Sequence, residues 1–156
     1  MTFLRKEFMT TQAEYTMQAE VTIINEDLVV LLTGGDVPHV GTVTETLAEG
    51  VQVSIPATNF ESEFYASKKT ATDYGTLRFP SHSGRFHKDD VLAESFLKAL
   101  SLAPEKKAVV IAGVHVDGIT KEQIAVSCQM AAALGTQAKS WLTTVAPETR
   151  APRYYD

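Results

Sequence analysis

The four histidines of this 156-residue chain all fall in three short glycine-bearing stretches: Gly34-Gly35-Asp36-Val37-Pro38-His39-Val40-Gly41, Ser81-His82-Ser83-Gly84-Arg85-Phe86-His87-Lys88-Asp89-Asp90 and Ala112-Gly113-Val114-His115-Val116-Asp117-Gly118. Six of the nine glycines lie there too. Glycine serves where backbone must turn sharply or come close to another group, so the stretches read as one site assembled from three loops. An imidazole can act as acid, base or metal ligand near neutral pH, and a forked arginine can grip two oxygens of an anion.

The middle stretch points toward an anion. From Tyr74 to Lys88 there is no acidic residue, whereas Arg78, Arg85 and Lys88 occur together with His82 and His87. Ser81, Ser83 and Gly84 precede a segment with helical spacing, and a helix start presents unpaired amides and the positive end of its dipole, which suit a phosphate. The Gly-Lys-Ser/Thr ending of a P-loop is missing. A solvated loop whose serines and lysine only cap and solubilise the helix is the competing reading.

The other two stretches each admit a structural and a functional reading. Gly34 and Gly35 can turn backbone amides toward an anion as in a nest, or simply make a tight turn between strands. Pro38 fixes φ beside His39. His115 follows an apolar run, with Asp117 two residues on and Gly118 opening a turn; strand-to-helix junctions commonly hold ligands in α/β structures, while a histidine there also serves as a structural hydrogen-bonding group. For a metal, His39, His82, His87 and His115 with Asp36 or Asp117 supply enough donors. No His-x-x-x-His pair exists, so such ligands must converge from separate loops. A metal-dependent lyase or hydrolase using His39, His87 and His115 is one reading; acid-base work by His39 or His115 is open as well. A nucleophilic serine lacks its Gly-x-Ser-x-Gly elbow.

The elements that must position these loops are legible in the periodicity. Tyr15, Met17, Ala19, Val21 and Ile23 alternate with polar residues, the signature of a half-buried strand. Asn25-Glu26-Asp27 is a turn, and Leu28 to Leu32 an apolar run, which predicts an antiparallel hairpin. Val40–Thr46 and Val51–Ile55 continue the pattern, so the simple expectation is a four-stranded meander. Between Ala57 and Pro80 the pattern dissolves into a long polar connection with scattered aromatics, Phe60, Phe64, Tyr65 and Tyr74. Helical spacing predicts a helix from about Lys88 to Ser101, then a buried strand over 107–113. Thr120 and Gln123 have capping-box spacing, with Ile119 and Ile124 at staple positions, for a second helix to about Lys139. Trp141 and Leu142 are placed to dock its last turn, and the end of the chain, with Pro147 and Pro152, reads as an extended tail. The expected architecture is a single α+β domain over 1–156, an antiparallel sheet with two helices on one face and a tail from 140.

Bulk composition fits that expectation. The chain is long enough for one sizeable core, and 44% hydrophobic with 21% charged residues is ordinary for a globular domain. No run approaches the ~18 apolar residues of a membrane helix, and the N-terminal residues do not resemble a secretory signal, so no membrane association and a cytoplasmic location are expected. A net charge of -5 argues against a nucleic-acid partner, which would require a basic face. The single cysteine, Cys128, lies in a helical segment and reads as packing.

Taken in order, Gly34 to Gly41, His87 to Asp89 and Gly113 to Asp117 resemble the motifs of the prenylated-flavin chaperone family, to which gallate decarboxylase D subunits belong. The resemblance implies a small, non-catalytic accessory protein that binds prenylated FMN or FMN and assists maturation of a decarboxylase large subunit acting on hydroxyaromatic acids. The resemblance and the anion-binding reading of the Ser81–Lys88 loop together predict that Gly34, Gly35, Asp36, His39, His82, Ser83, Gly84, Arg85, His87, Lys88, His115 and Asp117 surround the cofactor, with His39 and His115 contacting the flavin or fixing the loops. In that reading Arg85 and Lys88 hold the phosphate, and Asp36 and Asp117 orient the histidines. A homo-oligomer is expected, since small accessory proteins commonly form symmetric assemblies. A ligand-free structural subunit of a decarboxylase is a further alternative.

Overall fold

The computed structural model describes residues 3–47, 63–67 and 73–155. Its described strands are β1 (Leu4–Gln12), β2 (Tyr15–Ile24), β3 (Asp27–Gly35), β4 (Thr42–Leu47), β5 (Glu63–Ser67), β6 (Asp73–Arg78) and β7 (Ala108–His115); its helices are α1 (Asp90–Leu100) and α2 (Lys121–Leu142). The strands form one sheet in the order β1-β2-β3-β7-β4-β6-β5. Every pairing is antiparallel except β3 with β7.

Alternation explains the layering. Tyr15, Met17, Ala19, Val21 and Ile23 of β2, Leu28, Val30 and Leu32 of β3, and Ala108, Val110 and Ala112 of β7 are all buried, on the face covered by both helices. Phe96 and Leu100 of α1 and Met130 and Leu134 of α2 close that core. On β4 the same face carries Thr42, Thr44 and Thr46, all buried. The Thr46 hydroxyl accepts from the Ala108 amide at 2.9 Å, and Thr44 and Thr76 share a hydroxyl contact of 3.2 Å. The α+β class with two helices on one face is thus the observed one.

The expected meander is corrected. The β2–β3 hairpin forms as the Asn25-Glu26 turn predicts, but β4 does not pair with β3; β7 inserts between them, parallel to β3 and antiparallel to β4. Strand β7 alternates buried and half-buried residues, a period that fixes which face meets the helices but does not name its neighbours. The long polar connection also holds two strands, β5 and β6, while the expected strand over 51–55 and Phe60 lie outside the described residues. Strand β1 has no turn signal before β2 because its hairpin turn uses Ala13 (φ 48°) and Glu14 (φ 63°), left-handed positions normally given to Asn or Gly.

The helices follow their local chemistry. Thr120 caps α2 with both capping-box bonds, Gln123 N–H to Thr120 Oγ1 at 3.1 Å and Thr120 N–H to Gln123 Oε1 at 2.9 Å. Ile119 and Ile124, at the staple positions, are both exposed. The helix runs three residues past Lys139 to Leu142, where Trp141 meets Phe8 edge-on with ring centroids 6.0 Å apart. Helix α1 begins at Asp90, two residues later than its spacing suggests, because Asp89 takes the N-cap position.

Candidate functional site

The parallel β3–β7 pair sets Gly35 opposite His115, so the first and third glycine stretches emerge side by side. Strand β4 pairs with β7 only as far as Ala112, which leaves the last residues of β7 for the 36–41 loop. Gly41 N–H donates to the Ala112 carbonyl at 2.9 Å, Phe79 N–H to Gly41 at 3.0 Å, and His87 N–H to Phe79 at 3.1 Å. That ladder brings the second stretch to the same end of the sheet. Carboxyl ends of parallel strands are the usual place for a ligand in an open sheet.

The centre of the convergence is His39, His87 and Asp89. His39 Nε2 lies 3.1 Å from His87 Nδ1, with the rings tilted and centroids 4.6 Å apart. The Asp89 Oδ2 atom stands 3.8 Å from His39 Nε2 and 3.6 Å from His87 Nδ1. Its other oxygen accepts the Val114 amide at 2.9 Å. Because His39 Nδ1 faces the Val37 carbonyl at 2.9 Å, and a carbonyl only accepts, Nδ1 is the donor there, and Nε2 is the ring nitrogen turned toward His87. Close backbone approach holds this in place: a Cβ on Gly113 would overlap the His39 carbonyl.

Burial governs the charge states. Desolvation lowers the His87 pKa, and repulsion from His39, with smaller contributions from His115 and His82, lowers it further against the opposing pull of Asp89. Asp89 is shifted up by burial, opposed by the Val114 hydrogen bond and by His39 and His87.

The remaining expected site residues divide. His115 pairs with Asp117, Nε2 to Oδ1 at 3.0 Å, on the exposed rim. Asp36 does not reach a histidine; its carboxylate accepts the Asp117 amide at 2.8 Å and so ties the first stretch to the third. The nest expected at Gly34-Gly35 faces inward, since Asp36 and Val37 N–H both donate to the His115 carbonyl. Gly34 backs onto β2, and Gly35 (φ 75°) backs onto the His115 carbonyl. His82, Ser83 and Gly84 form an exposed 3-10 turn, with His82 Nδ1 3.2 Å from the Ser81 hydroxyl. Arg85 and Lys88 are exposed beside it.

Two features of the charged window differ from the sequence expectation. Arg78 is bound in a two-pronged pair to Asp90, at 3.1 and 2.8 Å, so it braces α1 against β6 instead of facing a ligand. The first amides of α1 are also used internally: Val91 donates to Lys88, and Leu92 and Ala93 donate to Asp89. Asp89, placed from sequence in the His87–Asp89 motif but not among the expected site residues, is the residue sequence reasoning missed. Its signal was its spacing two residues after His87. A separate cleft of about 270 Å³ lined by Ile23, Leu28, Leu102 and Val145 lies at the opposite end of β3.

Residues 11–143 match the family described as the prenylated flavin chaperone LpdD-like domain. The chain is also similar to Protein LpdD of Lactiplantibacillus plantarum, 36% identical over 148 residues that cover 95% of this chain and 93% of that protein. Among the described residues no helix is long and apolar enough to cross a membrane. With most of its length matched, and the three motifs gathered at one end of its sheet, the chain belongs to the prenylated flavin chaperone LpdD-like family.

Proposed function

We propose that this protein binds prenylated FMN or FMN at the end of the β3–β7 pair and carries it to the large subunit of a prenylated-FMN-dependent decarboxylase acting on hydroxyaromatic acids. The observation that supports this reading is the convergence of Gly34–Gly41, His82–Asp89 and Gly113–Asp117 on one rim in a member of a flavin-chaperone family. Arg85 and Lys88, exposed beside the His82–Gly84 turn, are the phosphate donors, with Ser83 and Gly84 next to them. His115 and Asp117 on the open rim contact the flavin, together with His82. His39 and His87, whose ring nitrogens already engage each other and Val37, hold the loops; Gly34, Gly35 and Asp36 shape the floor by close packing.

A homo-oligomer belongs to the same reading. On the helix-free face of the sheet, Val29, Leu31, Val109 and Ile111 are only partly covered, and a contiguous apolar face of this kind suits an interface between copies.

Co-expression with a flavin prenyltransferase, followed by absorbance spectroscopy of the purified protein and mass spectrometry of the released cofactor, tests the binding step. The expected result is prenylated FMN in wild type and at least about tenfold weaker retention in Arg85→Ala. A colourless wild-type protein that also fails to bind added FMN or prenylated FMN refutes the reading.

A further inference from the structure

We propose that His39, His87 and Asp89 form a binding site for one divalent first-row transition-metal ion, with His39 Nε2, His87 Nδ1 and Asp89 Oδ2 as its protein ligands. These three atoms are separated by 3.1, 3.8 and 3.6 Å. A point equidistant from the corners of such a triangle lies roughly 2.0 Å from each, the bond length of zinc to imidazole nitrogen and carboxylate oxygen. Two imidazoles with one carboxylate suit zinc and its neighbours and not magnesium or calcium, which take oxygen shells.

The surroundings have the second layer such ligands need. A metal-bound histidine normally donates its other N–H to a carbonyl or carboxylate, and His39 Nδ1 faces the Val37 carbonyl at 2.9 Å. The Asp89 oxygen not aimed at the histidines is held by the Val114 amide at 2.9 Å. Residue 41 is glycine where a Cβ would overlap Asp89 Oδ2 and come 3.1 Å from His39 Nε2, so the space beside the donors stays open. Three protein ligands leave a further position for water or an anion. The set differs from the one anticipated in sequence: His115, turned to Asp117, is outside it. The inference rests on this triad and not on flavin binding, so either can fail alone.

The test uses the full-length protein without a histidine tag, stripped with EDTA and titrated with Co²⁺ and then Zn²⁺. One Co²⁺ per chain with visible ligand-field bands, displaced by Zn²⁺, is expected. Asp89→Asn and His87→Ala should each weaken Zn²⁺ binding about tenfold or more, while His82→Ala and His115→Ala leave it unchanged. Circular dichroism checks folding; should His87→Ala not fold, the wild-type titration and Asp89→Asn decide. Absence of a one-to-one site in wild type, or binding that survives in folded Asp89→Asn but disappears in His115→Ala, overturns the proposal.

Discussion

Replacing Asp89 by alanine and by asparagine separates what its hydrogen bond does from what its charge does. The carboxylate accepts the Val114 amide at 2.9 Å and is almost fully covered. Alanine leaves that amide without its partner, a loss of about 1.5–3 kcal/mol for a bond to a charged acceptor. In a domain of this size that is roughly 3–12 °C in Tm. Asparagine keeps an oxygen in the same place. It also removes a charge whose burial raises the Asp89 pKa: a carboxyl with a raised folded value destabilises the fold when ionised, so stability falls as pH climbs from 3.8 through that value. Asp89→Asn is therefore expected within about 1 kcal/mol of wild type at neutral pH. Urea denaturation in EDTA, which keeps any metal out of the comparison, measures both. An alanine variant as stable as wild type would refute the hydrogen-bond reasoning; an asparagine variant as weak as alanine would show that attraction to His39 and His87 outweighs desolvation.

Other outcomes follow from the same contacts. His87, held below its ordinary value of 6.5, binds a proton less readily in the folded than in the unfolded chain. Metal-free protein should thus lose stability as pH falls from 6.5 toward the folded value, and His87→Gln should flatten that slope in urea titrations at several pH values. Gly113→Ala places a methyl group against the His39 carbonyl and is expected to cost about 1–3 kcal/mol in the same assay; an unchanged midpoint would contradict the close approach. Leu31→Lys, on the helix-free sheet face, should convert an oligomer to monomer in light scattering without lowering helix content. An unchanged molar mass would place any interface elsewhere.

Several elements were legible because their signals are local. Alternation along Tyr15–Ile23, the Asn25 turn and the Thr120 capping box each depend on residues a few positions apart, and each appears where expected. Strand β1 escaped because Ala13 and Glu14 adopt turn conformations that their side chains do not advertise. Strands β5 and β6 escaped because Gly75 and polar residues interrupt any period of two.

The site divides along the same line. By itself the sequence determined that all four histidines sit in three glycine-bearing motifs, whose order marks the family. Tertiary structure alone decided which of them meet. Inserting β7 between β3 and β4 aligns Gly35 with His115 and leaves room for the 36–41 loop, and this sets His39 against His87 and Asp89, not His115. Pairing between strands some 80 positions apart is selected by the packing of the whole sheet, and no spacing within a motif encodes it.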